Sequence, residues 1–270
     1  MSTPTTDRAF EAIDLGIDGP VARITLNRPE TLNPLSLQMA GEVLAALERI
    51  ESDPLVRAVL IAGAGRAFCS GADLKSDRPL TPEGKPDVLT GLREVYNPTM
   101  LALRRLEKPV LAAVNGPAVG IGASLAFSCD LVIAAESAYF LLAFVNIGLT
   151  VDGGASATLA ARVGHGRAAE LAFLGERLPA NRAQEWGLVN RVASDDEFEA
   201  AADELVARLA AGPPGSYAAT KRLLNERLYA GFEAQLDREA VLQQERAESA
   251  DFVEGVLAFF QKRPPNFGGT

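Results

Sequence analysis

Two stretches of this chain put glycines where a strand would hand over to a helix: Gly65–Leu74 (GRAFCSGADL) and Asn115–Ser124 (NGPAVGIGAS). The first backbone N–H groups of a helix have no acceptor inside it, so each turn can present an unpaired donor. Two such donors aimed at one point would hold an oxyanion, and the dipole of the second helix would add positive potential there. Taken singly, each stretch is more often an ordinary strand-to-helix turn. Neither is a nucleotide-phosphate loop: GPAVGIG lacks the G-x-G-x-x-G order, and no Gly-Lys-Ser/Thr follows.

The rest of the composition narrows the chemistry. His165 is the single histidine and Cys69 and Cys129 the only cysteines. A single histidine argues against a Ser-His-Asp triad or a His-based metal centre, and two cysteines are too few for a structural zinc site or a disulfide framework. His165, between two glycines, reads as a turn or cap residue, and Cys69 as packing beside the first turn. The formal net charge of −9 argues against nucleic acid, which requires a cationic face. No run of about 18 apolar residues points to a membrane span, and the first residues resemble neither a signal nor a transit peptide, so the expected location is cytoplasmic.

The elements that would position these turns follow from pattern. Val21–Leu26 alternates as a strand, Ser36 opens a helix running to about Glu51, and Val56–Ala62 and Val110–Val114 read as buried strands. Residues 76–90 are polar and proline-rich, a surface loop, before a helix over Leu92–Leu106 that Pro109 would end. A helix near Gly122–Ser128 and strands at Leu131–Ala134 and Ala138–Leu142 come next. The remainder is mainly helical, broken around 164–166, 175–179 and 212–215. Strands interleaved with helices and closed by a helical tail predict an α/β fold, with 1–200 as its core and 201–270 as a C-terminal helical segment. At 48% apolar residues the chain can fill a large core.

LNRPETLNPLS, AFCSGADL, KPVLAAVNGPAVGIGASLAFSCDLVIA and the late AFFQKRPPNF resemble the crotonase (enoyl-CoA hydratase/isomerase) superfamily in order and spacing, from about Val21 to Phe267. The resemblance implies a spiral of ββα turns with a C-terminal helical trimerisation segment, often as a dimer of trimers. It also implies an acyl-CoA thioester substrate with no separate cofactor and no metal. Carried over by position, the oxyanion donors are the N–H groups of Ala72 and Ile121, where the family usually has Gly at the second. Ser70, Gly71 and Asp73 shape the first turn, Asp73 as a helix-capping or structural carboxylate rather than a base; with Gly120 they count as substrate-contacting positions.

The two glutamates that hold water in enoyl-CoA hydratases fall on Ser124 and Phe144, and neither can act as an acid or base. Phe144 would instead make that wall apolar. GLTVDGGA puts Asp152 on the following loop, where enoyl-CoA isomerases of the phenylacetate-pathway type carry a lone acid; AFVNIGL and AQEWGLV also resemble that group. Val151 stands where that type has proline, and one residue is inserted after Gly154. On sequence alone Asp152 is more readily an Asp-Gly-Gly turn residue. The resemblance makes it a proton shuttle that moves a double bond from C3–C4 to C2–C3. Hydration, and an acyl-CoA-binding oligomer without catalysis, stand as alternatives. For coenzyme A, Arg28 and Lys75 are candidates by position, and Phe259 and Lys262 by resemblance, the latter pair near the adenine of a neighbouring subunit. Read plainly, Phe259 is a core residue, Lys262 a solvated helix end and Lys221 a surface residue.

Overall fold

The computed structural model describes residues 5–7, 10–75 and 79–269. In chain order the elements are β1 (Thr5–Asp7), β2 (Ile13–Asp18), β3 (Val21–Leu26), α1 (Leu37–Ser52), β4 (Ala58–Gly63), α2 (Leu89–Gly91), α3 (Asn97–Arg105), β5 (Val110–Val114), β6 (Ala118–Val119) and α4 (Ile121–Ser128). They continue with β7 (Leu131–Ala135), β8 (Tyr139–Leu141), α5 (Ala155–Leu174), β9 (Leu178–Pro179), α6 (Ala180–Trp186), β10 (Arg191–Ala193), α7 (Phe198–Ala211), α8 (Pro214–Leu228), α9 (Phe232–Ala247) and α10 (Ala250–Gln261).

Seven strands form one sheet in the order β1-β2-β3-β4-β5-β7-β10, antiparallel through β3 and parallel beyond it. The buried runs of β4, β5 and β7 fit parallel strands covered on both faces. Registers such as Ile24↔Ile61 and Ala112↔Val132 bring their apolar side chains into one core.

A second, smaller sheet, β6-β8-β9, runs alongside. Isolated bridges Leu35↔Ala72 and Cys69↔Ala118 carry the same layer back toward the start of the chain. Each winding thus contributes one strand to the large sheet, one extended segment to the small layer and one helix. That is the ββα spiral the resemblance implied, with helices following it.

The strand expected at Val56–Ala62 begins instead at Ala58, because Arg57 and Ala58 donate to Pro20 O before the ladder is established. The helix expected to run to Leu106 ends at Arg105, ahead of Pro109, and is prefaced by α2 and a π turn over Leu92–Tyr96. Of the predicted surface loop, residues 76–78 lie outside the described residues; 79–88 form a short hairpin closed by Leu80↔Pro86. β2 was not foreseen: its Gly and two Asp residues mask the alternation, although Asp18-Gly19 is a hairpin signal and Gly19 turns at φ +54°. The break expected in 164–166 is a kink within α5 at Gly164 (φ 73°, ψ 170°). Among the described residues no helix is long and apolar enough to cross a membrane.

Candidate active site

The two glycine turns meet. Cys69 N donates to Pro117 O at 3.0 Å, and Val119 N donates back to Cys69 O at 2.9 Å. A Cβ on Gly71 would lie 3.2 Å from Val119 O, and one on Gly120 would lie 3.9 Å from Gly71 Cα. Gly71 (φ +102°) and Gly120 (φ +52°, ψ −126°) both hold backbone that side-chain-bearing residues avoid. The special conformation therefore sits at Gly120, and Ile121 is an ordinary first helical residue, which is why a side chain is tolerated there.

The segment after β3 supports the first turn. Asn33 is fully buried in a left-handed conformation, which Asn tolerates. Its Oδ1 accepts from Arg28 N, and its Nδ2 donates to Ala64 O and Ala67 O, each at 2.8 Å. Ser70 N then donates to Leu32 O, and Leu35 pairs with Gly71 O and Asp73 N on either side of Ala72. That bridge turns the Ala72 N–H to the opposite side. Neither it nor the Ile121 N–H meets a protein acceptor among the described residues. Two free donors on touching turns can bind one anionic oxygen.

Asp152 lies on the loop before α5, which is set against α4. A Cβ on Gly153 would come within 2.9 Å of Ser124 Cβ and 3.3 Å of both Ile121 Cγ1 and the Met100 methyl. Ser124, fully buried, donates its hydroxyl to Asp152 O at 2.8 Å. From the other side α9 supplies two buried polar side chains one turn apart. Glu239 accepts from Gly154 N (2.7 Å) and Ser156 N (2.9 Å), serving the open N-terminus of α5. Gln243 donates from Nε2 to Asp152 Oδ2 at 2.8 Å and accepts from Thr150 N at 3.1 Å.

Asp152 is 8% exposed, and its second oxygen, Oδ1, is buried without a hydrogen-bond partner. Burial pushes its carboxyl up to about 7, against the donation from Gln243 and with the charge of Glu239 adding to the rise. Burial likewise raises Glu239, against the hydrogen bonds it accepts from Ser156 and Gly154. A carboxyl poised near neutrality can both take and return a proton.

The other nominated residues fall in several places. Arg28 Nη1 pairs with Asp73 Oδ2 at 2.7 Å, so these two candidates hold each other beside the first turn. Asp73 does not open a helix; its Oδ1 accepts from Lys75 N in a turn. Lys75 is exposed. The Phe144 ring packs on the second turn, 3.8 Å from where a Gly120 Cβ would be. Phe259 is 58% exposed and stands edge-on to Phe260, so it is not a core residue of this chain. Lys262 caps α10 in a left-handed, exposed conformation. Burial pushes the Cys69 thiol up to about 11, in keeping with packing, and His165 is exposed beside the α5 kink.

Lys221 requires a correction: it is buried, donating to Leu103 O, Lys108 O and Asp130 Oδ2. Three acceptors satisfy its ammonium, while the neighbouring Leu223 and Leu224 face outward. Glu239 and Gln243 were not anticipated either. Their sequence signal is an i, i+4 polar pair on the same helix face as Leu236 and Ala240, and it reads equally well as surface.

Residues 16–270 match the model of the enoyl-CoA hydratase/isomerase family. The chain is 41% identical over 254 residues to the 1,2-epoxyphenylacetyl-CoA isomerase of Escherichia coli (strain K12), covering 94% of this chain and 97% of that one. It is 43% identical over 261 residues to a protein of Rhodobacter capsulatus named "Probable enoyl-CoA hydratase", covering 97% and 99%. The crystal structure of an enoyl-CoA hydratase from Mycobacterium avium subsp. paratuberculosis K-10 superposes with a TM-score of 0.87 at 42% identity, over 96% of this chain and 99% of that one. The names of these relatives divide between isomerase and hydratase, but the family is common to all of them. With a family match over almost the whole chain and a fold shared at this identity, the protein belongs to the enoyl-CoA hydratase/isomerase family of acyl-CoA enzymes.

Proposed function

We propose that this enzyme is an enoyl-CoA isomerase that moves a double bond from C3–C4 to C2–C3 of an acyl-CoA thioester, with Asp152 as its single proton shuttle. One observation carries the reading: a buried carboxylate with an unpartnered oxygen lies on a loop packed against the helix that presents the free Ile121 N–H. Ionised Asp152 removes a proton from C2, and the C–H electron pair moves toward the thioester carbonyl, giving a dienolate. The N–H groups of Ala72 and Ile121 hold its oxygen, a contribution of about 3–4 kcal/mol per donor in comparable sites. The same carboxyl returns the proton at C4 as C2=C3 forms, so the atoms balance with no cofactor beyond the coenzyme A of the substrate.

The positions that hold water in hydratases support this choice over hydration. Ser124 engages its hydroxyl with the Asp152 loop, and Phe144 presents a ring. A 3-enoyl-CoA should give the conjugated 2-enoyl-CoA, followed by absorbance of the conjugated thioester, whereas crotonyl-CoA should give little 3-hydroxyacyl-CoA. Rapid hydration of crotonyl-CoA would sink the proposal. The name of the 41%-identical relative favours one further substrate for the same panel, a ring-epoxidised aromatic acyl-CoA, whose isomerisation also suits a lone acid.

Arg28, Lys75, Phe259 and Lys262 remain the proposed contacts to coenzyme A, the last two acting across a subunit boundary. Exposed Leu223, Leu224 and Leu228 on α8 and Leu257 and Phe260 on α10 support assembly as a trimer or dimer of trimers. Light scattering should give three or six times the 28.5 kDa chain mass; a monomer at micromolar concentration would rule that assembly out.

A further inference from the structure

We infer that Gln243 is a positioning residue that gives the two oxygens of Asp152 separate tasks, anchoring Oδ2 and leaving Oδ1 to exchange the proton with substrate. The inference rests on the proton-shuttle reading of Asp152.

The orientation of the Gln243 side chain is not arbitrary. Its Oε1 faces the N–H of Thr150, and a backbone N–H can only donate, so the amide NH2 must face Asp152. That NH2 can only donate in turn. A proton on Oδ2 would point at a donor hydrogen, so a protonated Asp152 carries its proton on Oδ1. Oδ1 is also the buried oxygen without a partner. The anchored oxygen and the unpaired one are thus opposite oxygens of one carboxyl.

Further contacts hold the backbone that carries this carboxyl. Ser124 donates to the Asp152 carbonyl, Glu239 accepts from Gly154 N and Ser156 N, and Gly153 lies so close to α4 that an added Cβ would crowd Ser124 and Ile121. Of the ionisable groups on surrounding elements, Glu239 of α9 is the one whose charge reaches Asp152. α4 has no ionisable side chain, and Asp251 of α10 is taken up by the N–H groups of Gly268 and Gly269.

The test is the pH dependence of kcat/KM for a 3-enoyl-CoA in the full-length wild type, Gln243→Leu and Gln243→Glu, with Asp152→Asn as reference. Loss of one donor to a charged group should move the acid limb of Gln243→Leu upward by about 1–2 pH units. Gln243→Glu keeps the acceptor for Thr150 but places a second carboxyl against the first, and should move the limb at least as far. A folded Gln243→Leu that loses activity with its limb unmoved would make Gln243 merely structural and overturn this inference, leaving the shuttle reading intact. Full activity in Asp152→Asn would remove the reading itself. Should neither Gln243 variant fold, the side-chain amide resonance of Gln243 in the wild type must titrate with the midpoint of the activity. A resonance that stays fixed through that range overturns the inference.

Discussion

Asp152→Asn should reduce isomerisation of a 3-enoyl-CoA by about 10²–10⁴-fold, the contribution expected of a positioned acid–base group. The substitution is nearly isosteric, and Ser124 and Glu239 bind the backbone of this loop rather than the carboxyl, so the fold should be kept. KM should change little, because the lost interaction belongs to the proton-transfer step and not to the coenzyme A handle. The pH profile gives a second signature. Asp152 must be ionised to accept the C2 proton, so kcat/KM of the wild type should fall as pH drops through about 7, the value to which burial raises its carboxyl. In Asp152→Asn that limb should vanish from whatever activity remains. A variant with full activity, or a residual activity with the same limb, would assign the proton to another group.

Gly122→Ala should damage both the rate and the fold. A Cβ there would stand 2.6 Å from Cys69 Sγ, 2.7 Å from Cys69 Cβ and 2.8 Å from Cys69 O. No rotamer relieves all three, so α4 must move away from the first turn, and the Ile121 N–H moves with it. Losing one such donor costs about 10²–10³-fold in kcat, and overpacking costs about 1–3 kcal/mol of stability. Kinetics and thermal denaturation of the purified variant measure the two separately. Adding Cys69→Ala removes only the sulfur and should not restore the rate. An alanine variant with wild-type kcat would show that the spacing of the turns does not set the donor geometry.

How much of this the sequence disclosed depended on how local the cause was. Val21–Leu26 and the Ser36 cap were legible because alternation and capping are local: Ser36 Oγ accepts from Met39 N, as an N-cap should. The glycine turns were visible as turns, but their mutual contact was not. It depends on ladders between segments some fifty residues apart, such as Cys69 with Ala118. Asp152 could be nominated only by resemblance, since Asp-Gly-Gly is an unremarkable turn. Lys221 and Gln243 were misread or missed for one reason. A long polar side chain on a helix reads as solvated unless its distant acceptor is known, and for these two the carboxylate partner lies 91 residues away in each case.

On the proposed reading, the close approach of Gly153 to Ser124 also keeps a hydratase-type glutamate and the Asp152 loop from sharing one site. A glutamate at 124 would have to occupy space now filled by the Asp152 loop, with Ser124 fully buried and its hydroxyl on Asp152 O. Moving the acid from one site to the other therefore demands a rebuilt loop as well as a new side chain.

The placement of Glu239 and Gln243 on α9 also has a meaning in time. Asp152 leaves the ribosome 91 residues before the amide that binds it, an interval of roughly 5–18 s at ordinary rates of synthesis. Until then the spiral can wind and the two turns can meet, but the carboxyl has water in place of Gln243 and the start of α5 lacks its cap. A chain cut short before α9 would carry the two glycine turns without the side chains that hold the Asp152 loop. α9 thus acts as a completion signal, since the Asp152 loop gains its side-chain partners only when that helix has been made.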